Sequence, residues 1–318
     1  MKDTHVNIQK RWWDNIIPND LLSKNDLTHK IINDKALIIN ADSFHLLKSI
    51  PDNSIHAVVT DPPYGVKEYD LEELDKMKKG NGGIWRLPPS YDGTVRSPLP
   101  RFTALSEKER DRLKQYFSEL GNLLGDKLLP GGHLFIASNS FMSLCVFSAI
   151  TNKNLEYRGD VIRLVRTLRG GDKPKNYETE FPDVCSLARG CYEPWGIFRK
   201  PLPAKMTIGE CLKKYSTGGI RRISEDKPFE DVIFDGRTPM LERKIVNHPS
   251  LKPQKFMRQI VHSALPMGEG VILDPFMGGG STIAAALALG YNSIGIERDI
   301  EYYQTGGDAI EKLKNIDF

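Results

Sequence analysis

The stretch VILDPFMGGGSTIAAALALGYNSIGIERD, residues 271–299, decides the fold of this chain. It opens with an apolar run at residues 271–273 that predicts a buried strand, and Asp274 follows directly. A glycine-rich turn at residues 278–280 leads into an alanine-rich segment, which we predict to be helical over residues 282–289. The apolar run SIGIERD predicts the next strand. A strand, a helix and a strand in this order indicate an α/β protein with a parallel sheet.

The glycine turn and an acid further along the chain predict a nucleoside-type cofactor site. Glycines let a ligand approach the backbone closely, and the following helix presents free N–H groups to an anionic group. Glu297 ends the second strand roughly 20 residues after the turn, a spacing at which an acid can bind ribose hydroxyls. The turn is not a P-loop, because no Gly-Lys-Ser/Thr follows the glycines, and it is not the usual GxGxxG. We therefore expect a cofactor at the carboxyl ends of parallel strands.

The stretch TDPPYG, residues 60–65, marks a second strand end. Residues 55–60 predict a buried strand, and two successive prolines can lie neither inside a helix nor in the middle of a sheet. A carboxylate, a rigid dipeptide and an aromatic ring are therefore expected at the tip of that strand. Residues 36–40 predict a strand and residues 43–50 a helix, which repeats the strand–helix–strand order.

The remaining sequence divides into an extension, a loop, further sheet elements and a candidate module. Residues 1–35 are interpreted as an N-terminal extension, in which Trp12 and Trp13 pack into the core. Residues 66–104 are rich in glycine and proline without a clean period, which predicts a long surface loop. Over residues 199–247 the strand–helix alternation fades, and we interpret this segment as an inserted module. The other predicted elements are helices at residues 106–129 (N-cap Ser106, capping box with Glu109), 141–150 and 255–264, and strands at residues 134–137 and 160–165.

Composition narrows the class of protein and its surroundings. The chain has 318 residues, of which 40% are hydrophobic and 27% charged, as is ordinary for a protein that buries a core. No apolar run is long enough to span a membrane, and the polar N-terminus lacks the apolar centre of a signal peptide. The four cysteines form no CxxC pair, so we expect neither a zinc site nor a disulfide framework, and a cytoplasmic location. With a net charge of +3, any DNA-binding face must come from local clusters.

Together the two motifs resemble those of the S-adenosylmethionine-dependent amino DNA methyltransferases, which modify N6 of adenine or N4 of cytosine. DPPY at residues 61–64 is similar to the catalytic motif of that family. DPFMGGGST at residues 274–282 is similar to its cofactor motif, commonly written DPFxGSGT, and NHPSLKP at residues 247–253 resembles the segment before it. The catalytic motif first and the cofactor motif last is the permuted order called the β class. The resemblance covers roughly residues 36–304.

The chain departs from the family pattern at two places. Gly279 and Gly280 stand where the cofactor motif has SG. Tyr192 precedes Glu193 in YEPWGIFRKP, where the family usually has a His-Glu pair.

The resemblance implies a doubly wound α/β fold with a mainly parallel, seven-stranded-type, Rossmann-like sheet and one antiparallel strand near an edge. The catalytic domain would comprise residues 36–198 and 248–318. S-adenosyl-L-methionine and a flipped target base would lie side by side at the carboxyl ends of the strands. Asp61 and the carbonyl oxygen of Pro62 would accept hydrogen bonds from the exocyclic amine, with the φ angles fixed by Pro62 and Pro63, and Tyr64 would stack on the base.

The resemblance also implies the residues that bind the cofactor. They are Asp42, Asp274, Phe276, Gly278, Gly280, Ser281, Thr282, Glu297 and Lys252. Ser281 and Thr282 are expected near the carboxylate of the cofactor, which Lys252 would neutralise, and Glu297 is expected at the ribose. Asp42 would lie near the adenine, but it could equally be the N-cap of the helix that follows it.

Double-stranded DNA is the expected partner, and residues 199–247 are the candidate target-recognition module. Phosphate contacts are assigned there to Lys213, Lys214, Arg221 and Arg222, with a solvated face as the alternative. Arg163, Arg166 and Arg169 could be phosphate contacts or ordinary surface charge. A homodimer and a cognate restriction endonuclease are possible partners, in a restriction-modification or phage context.

The leading interpretation is an N6-adenine enzyme, because an aspartate before Pro-Pro favours adenine within the family. A cytosine-N4 enzyme on the same scaffold is the first alternative. An RNA or protein methyltransferase and an inactive DNA-binding module are more remote. None of these interpretations requires a metal ion or a membrane.

Overall fold

The computed structural model describes residues 11–18, 21–22, 27–63, 90–91, 94–95, 107–165, 173–174, 176–246, 248 and 250–317. Within them the strands are β1 (His29–Ile32), β2 (Ala36–Asn40), β3 (Ile55–Thr60), β4 (Ser90–Tyr91), β5 (Thr94–Val95), β6 (Leu128–Ala137), β7 (Glu156–Leu164), β8 (Tyr192–Arg199), β9 (Val232–Phe234), β10 (Val271–Asp274) and β11 (Asn292–Glu297). The helices are α1 (Ser43–Ser49), α2 (Glu107–Lys127), α3 (Ser143–Ile150), α4 (Ile208–Tyr215), α5 (Met240–Ile245), α6 (Gln254–Ala264), α7 (Ser281–Ala288) and α8 (Ile300–Lys314), and a short 3-10 helix spans Trp12–Asn15.

One sheet with the strand order β1-β2-β11-β10-β3-β6-β8-β7-β9 forms the centre of the protein. The strands β2, β11, β10, β3 and β6 run parallel to one another. β8 runs antiparallel to both β6 and β7, β9 is parallel to β7, and β1 is antiparallel to β2. The predicted mainly parallel α/β fold is therefore confirmed. Of its described strands two are reversed, β8 and β1, where we expected one.

Helices cover both faces of this sheet because side chains of successive strand residues point to opposite sides. In β2, Leu37 and Ile39 pack with apolar residues of α1, α2 and α3 on one face. Ile38 packs with α7 and α8 on the other face. Ala57 and Val59 of β3 pack with α6 on that second face. The result is the doubly wound arrangement.

The strand order reverses between β3 and β10, and this reversal locates the site. From β3 the chain continues through α2 to β6 on one side, whereas from β10 it continues through α7 to β11 on the other side. In open α/β sheets, ligands bind in the crevice at the carboxyl ends of the strands at such a switch point. Both sequence motifs lie there.

The segments outside the predicted catalytic domain also contribute to the sheet and its core. β1 lies within the predicted extension and pairs with β2. Trp13 is 2% exposed in the main core cluster and Trp12 packs against it, which confirms the predicted packing of this pair. β9 lies within residues 199–247 and pairs with β7. The role of residues 199–247 in target recognition remains a prediction.

Most predicted elements differ from the observed ones by a few residues. The largest difference is at β6, where the strand predicted at residues 134–137 begins at Leu128 and includes Pro130–Gly132. Within the predicted loop at residues 66–104 the structure describes two short strands, β4 and β5, that pair antiparallel. The predicted N-cap Ser106 lies outside the described residues.

Candidate active site

Two acids lie side by side at the ends of neighbouring strands. β3 and β10 pair in parallel, with Val58 opposite Leu273. Asp61 follows β3 directly, and Asp274 is the last residue of β10. The catalytic motif and the cofactor motif therefore meet at the same edge of the sheet.

Asp274 is buried, and its hydrogen bonds hold the two strand ends together. The Thr60 hydroxyl donates to Asp274 Oδ1 at 2.7 Å, and the Phe276 amide donates to the same oxygen at 3.0 Å. Burial raises the pKa of Asp274 to about 6, against the effect of hydrogen bonds from Thr282, Thr60 and Phe276. Through these hydrogen bonds the Asp274 carboxyl group fixes the backbone at the start of the cofactor turn.

The glycine turn is enclosed by its neighbours on two sides. Gly278 and Gly280 have φ angles of 47° and 81°, in the left-handed region that favours glycine. A Cβ atom on Gly278 would lie 2.8 Å from the His248 ring, and one on Gly280 would lie 2.6 Å from Ile310 of α8. Gly280 is also the N-cap of α7. The turn therefore requires glycine both for its backbone angles and for its close packing.

Glu297, at the end of β11, is bonded to this turn. Its carboxylate accepts hydrogen bonds from the amide of Gly278 at 2.9 Å and from the amide of Asp299 at 2.9 Å. Burial raises the pKa of Glu297, and these backbone hydrogen bonds oppose the shift. The acid predicted to bind ribose thus lies beside the glycine turn and helps to fix it.

A pocket with about 330 Å³ of open space lies between the two acids and the glycine turn. The N-terminus of α7 borders the pocket, and helix N-termini favour anionic groups. Residues predicted to bind the cofactor or the base that line the pocket are Asp61, Lys252, Asp274, Phe276, Gly278, Ser281 and Thr282. The enclosed glycines and the helix end fit a nucleoside cofactor that carries a carboxylate.

Asp61 forms an ion pair inside this pocket. Lys252 Nζ donates to Asp61 Oδ2, and the two side chains are 8% and 13% exposed. Burial raises the pKa of Asp61, Lys252 lowers it, and Glu193 raises it again. Lys252, which we expected at the carboxylate of the cofactor, thus lies on the predicted catalytic acid.

The other predicted residues of the two motifs have different positions. Pro62 is buried and Pro63 is exposed, whereas Tyr64 lies outside the described residues. Asp42 is the N-cap of α1 and accepts a hydrogen bond from the His45 amide at 3.0 Å. The structure thus shows the capping role that the sequence left open for Asp42. Gly280, Glu297 and Asp42 are not among the described residues that line the pocket.

The predicted phosphate contacts lie near the amino ends of the parallel strands. They are Lys213, Lys214, Arg221 and Arg222. α4 carries the two lysines and is hydrogen-bonded to the start of β6. Cys211 Sγ donates to the carbonyl oxygen of Pro130 at 3.3 Å. Arg221 donates to the hydroxyl of Tyr291, which directly precedes β11, at 2.6 Å. Both contacts involve the amino ends of parallel strands, whereas the pocket lies at the carboxyl ends.

The sheet register gives the scale of this separation. Ile55, at the start of β3, is paired with Leu128 at the start of β6. Asp61 lies six residues further along, roughly 20 Å away at the rise of a β-strand. The four basic residues therefore lie at the end of the strands that is away from the pocket.

Sequence reasoning missed a chain of buried charges next to Asp61. Arg163 Nε donates to Asp235 Oδ2 at 2.8 Å, and Arg163 lies 3.6 Å from Glu193 Oε2. Glu193 Oε2 lies 3.7 Å from Lys252 Nζ. The prediction of a surface or phosphate-binding Arg163 was wrong, because its side chain is 5% exposed. Its position in the apolar part of a strand was the available signal; Arg166 and Arg169 lie outside the described residues.

His248 is a residue of the pocket to which the sequence assigned no role. Its ring packs against Tyr302 of α8, with ring centroids 4.5 Å apart, and against the glycine turn. Burial, and then the charge of Lys252, lowers the pKa of His248 to about 4. A neutral imidazole therefore lines the pocket at neutral pH.

Comparison with protein families identifies the family of this chain. A family model described as DNA methylase, for N6 and N4 methyltransferases, matches residues 55–308. That range contains both motifs and the pocket between them.

Relatives of known function extend over most of the chain. The DNA adenine methyltransferase YhdJ of Escherichia coli is 40% identical over 279 residues, covering 86% of this chain and 82% of the relative. The type II methyltransferase M.MjaI of Methanocaldococcus jannaschii is 33% identical, covering 80% and 84%. The type II methyltransferase M.HindIII of Haemophilus influenzae is 24% identical, covering 87% and 96%.

Solved structures show the same fold. The PvuII DNA methyltransferase, described as cytosine-N4-specific, has a TM-score of 0.55 and 15% identity, covering 88% of this chain and 90% of that one. The complex of M1.HpyAVI with SAM has a TM-score of 0.52 and 16% identity, covering 88% and 100%. At these identities the likeness concerns the fold alone.

Proposed function

This chain belongs to the DNA methylase family of N6 and N4 amino methyltransferases, and from that premise we propose that it methylates N6 of adenine in duplex DNA. The observation that carries the proposal is the position of Asp61, a buried acid in a pocket shared with the glycine turn. The choice of adenine rests on the aspartate before Pro62 and on the adenine-specific relative at 40% identity. Type II relatives suggest a restriction-modification context, with a cognate endonuclease as a partner.

The residues of the pocket suit this reaction. S-adenosylmethionine, the methyl donor of the family, supplies a methyl group on a positively charged sulfur. Asp61 would accept a hydrogen bond from the exocyclic amine, whose lone pair is otherwise delocalised into the ring, and would thereby favour attack on the methyl carbon. Buried Pro62 fixes the backbone after Asp61. The turn at Gly278 and the N-terminus of α7 would hold the cofactor beside the base.

The base must leave the duplex to reach this pocket, so the DNA must contact the carboxyl edge of the sheet. We propose that the segment after β9 supplies phosphate contacts, through Arg237, Arg243 and Lys244, which are exposed. Two hydrogen bonds join this segment to the residues next to Lys252. Thr238 donates to the carbonyl oxygen of Leu251 at 2.6 Å, and Gln254 N donates to Glu242 Oε2 at 3.0 Å.

A paired experiment tests this surface. Replacing Arg243 and Lys244 with alanine should weaken DNA binding several-fold and reduce the slope of log affinity against log salt by about 2. The matched control replaces Lys213 and Lys214, at the opposite edge, and should change neither quantity. Equal losses in the two double variants would contradict the proposed surface.

Nucleoside mass spectrometry of unmethylated plasmid DNA, after incubation with the protein and S-adenosylmethionine, tests the function itself. N6-methyladenine is the expected product. N4-methylcytosine would overturn the choice of base and leave the pocket assignment intact. If neither product formed while the protein bound DNA tightly, it would be an inactive binder; without DNA binding, another substrate class would be indicated.

A further inference from the structure

The two oxygens of the Asp61 carboxylate have different surroundings. Oδ2 accepts the hydrogen bond from Lys252 Nζ. Oδ1 is buried and has no hydrogen-bond partner among the described residues. A buried polar atom without a partner is costly, and such atoms occur at sites that are completed by a ligand. Under the proposed function, Oδ1 is therefore the oxygen that meets the substrate amine.

Lys252 is held in place by its own backbone and by its neighbours. Its amide donates to Ser281 Oγ at 3.2 Å, on the first residue of α7. Two residues further on, Gln254 Nε2 donates to the carbonyl oxygen of Ser281 at 2.9 Å. The helix that borders the cofactor pocket thus also sets the position of the amine on Asp61.

Glu193 limits the freedom of this amine from the other side. Its Oε2 lies 3.7 Å from Lys252 Nζ, and its Oε1 accepts a hydrogen bond from the Trp195 indole at 2.8 Å. Arg163 lies 3.6 Å from Glu193 and is paired with Asp235. Because Trp195 is fully buried and Arg163 is 5% exposed, Glu193 has a rigid frame.

We propose that Lys252 and Glu193 are a pair of positioning residues that set the charge and orientation of Asp61 during methyl transfer. Lys252 keeps Asp61 ionised and leaves Oδ1 for the amine, whereas Glu193 shares the lysine charge and thereby preserves the basicity of Asp61. This inference rests on the proposed function. In the step itself the amine lone pair forms the N–C bond, and the C–S bond breaks with its electrons remaining on sulfur. The surplus N–H proton passes to Asp61 and then to solvent.

The charges around Asp61 act in opposite directions, which makes the pair testable. Burial raises the pKa of Asp61, the Lys252 charge lowers it, and the Glu193 charge raises it. Other ionisable groups that act on this network include Arg163 on β7, Asp235 after β9, Glu242 on α5, Arg258 on α6, His248 before α6 and Asp274 on β10. They are unchanged in both variants below.

The experiment compares the acid limb of the kcat–pH profile in the wild type, Lys252→Met and Glu193→Gln. Lys252→Met should move that limb to higher pH by about one pH unit or more, and Glu193→Gln should move it to lower pH by a smaller amount. Lys252→Arg should restore most of the wild-type position. Lys255→Met, on the exposed side of α6, is the matched control and should leave the profile unchanged. Shifts that are absent, or in the same direction for both variants, would overturn the proposal.

A second measurement does not depend on turnover. Infrared titration of the Asp61 carboxyl, identified by difference from Asp61→Asn, should show the same opposite shifts in the two variants without DNA. If the wild type methylates DNA but neither measurement shows these shifts, the pairing is wrong and the proposed function stands. If the wild type does not methylate DNA, the proposed function fails, and the infrared shifts still decide whether the pair controls Asp61. If Lys252→Met does not fold, the shift in Glu193→Gln decides.

Discussion

Asp61 and Asp274 both lie at the carboxyl ends of adjacent strands, yet the protein stabilises them in different ways. Both are largely buried, and burial raises the pKa of both carboxyl groups. The cost of burying the Asp61 carboxylate is compensated by a cation, Lys252, and one of the two carboxylate oxygens has no partner among the described residues. Asp274 is compensated by neutral donors, among them the Thr60 hydroxyl and the Phe276 amide.

The difference distinguishes an acid that can take part in the reaction from an acid that holds the backbone in place. A buried carboxylate that is fully hydrogen-bonded by its own chain orders the backbone and has little capacity left for a substrate. A buried carboxylate with a counter-ion and a free oxygen stays charged and can accept a proton or a hydrogen bond. The residue type is the same and both acids lie at strand ends, so the neighbours decide the role.

The largest effect is expected for Asp61→Asn, which tests the chemical half of this comparison. We expect turnover to fall about a thousandfold, because an amide cannot accept the proton of the amine. Cofactor affinity, measured by calorimetry, should stay close to the wild-type value, because the variant preserves the shape of the pocket. Turnover close to that of the wild type would show that Asp61 is not the acceptor.

Asp274→Asn tests the scaffolding half through the pH dependence of stability. Asp274 has a pKa of about 6 in the folded protein against 3.8 ordinarily, so the folded state binds more protons between these values. Wild-type stability should therefore fall, relative to the variant, by roughly 2.4 kcal/mol as pH rises from about 4 to about 7. Denaturant unfolding of both proteins at several pH values measures this difference. A constant difference across that range would contradict the buried environment of Asp274.

The sequence predicted the strands and the motifs because their signals are local. Residues 36–40 and 55–60 are largely apolar runs, and both were predicted with the observed bounds. The glycine turn and the proline dipeptide restrict the backbone by themselves. Their meeting at one edge follows from the geometry of parallel strands, so the pocket could be expected before the structure was known.

The sequence could not predict contacts that depend on distant pairing. Lys252 is 191 residues from Asp61 in the sequence. The ion pair forms only because the fold brings the residues before α6 to the end of β3. Arg163 can be buried because Asp235 and Glu193 neutralise its charge. These two partners lie on, or next to, two other strands. The sequence likewise could not place the basic residues around α4, since a cluster of positive charge does not specify the end of the strands at which it lies.

A smaller effect is expected for Thr60→Val, which removes one donor from Asp274 and preserves the shape of the side chain. The Thr60 hydroxyl is buried and lies 2.7 Å from Asp274 Oδ1. Its loss should cost roughly 1–3 kcal/mol of unfolding free energy and raise the pKa of Asp274 further. Thr305→Val, whose hydroxyl donates to a backbone carbonyl on the exposed side of α8, is the control and should have little effect. Equal costs for the two variants would mean that this hydroxyl does not support Asp274.

The smallest effect is expected for Glu297→Gln, and it decides to which side of the comparison a third strand-end acid belongs. Glu297 resembles Asp274 in accepting two backbone hydrogen bonds, but the sequence assigns it a ligand, as with Asp61. If it binds ribose, the variant should lose about tenfold in cofactor affinity, roughly 1.4 kcal/mol, because an amide is a weaker acceptor. Glu301→Gln, exposed in the first turn of α8, is the matched control for calorimetry. Reduced stability with unchanged affinity would place Glu297 with Asp274, as an acid whose function is to hold the turn.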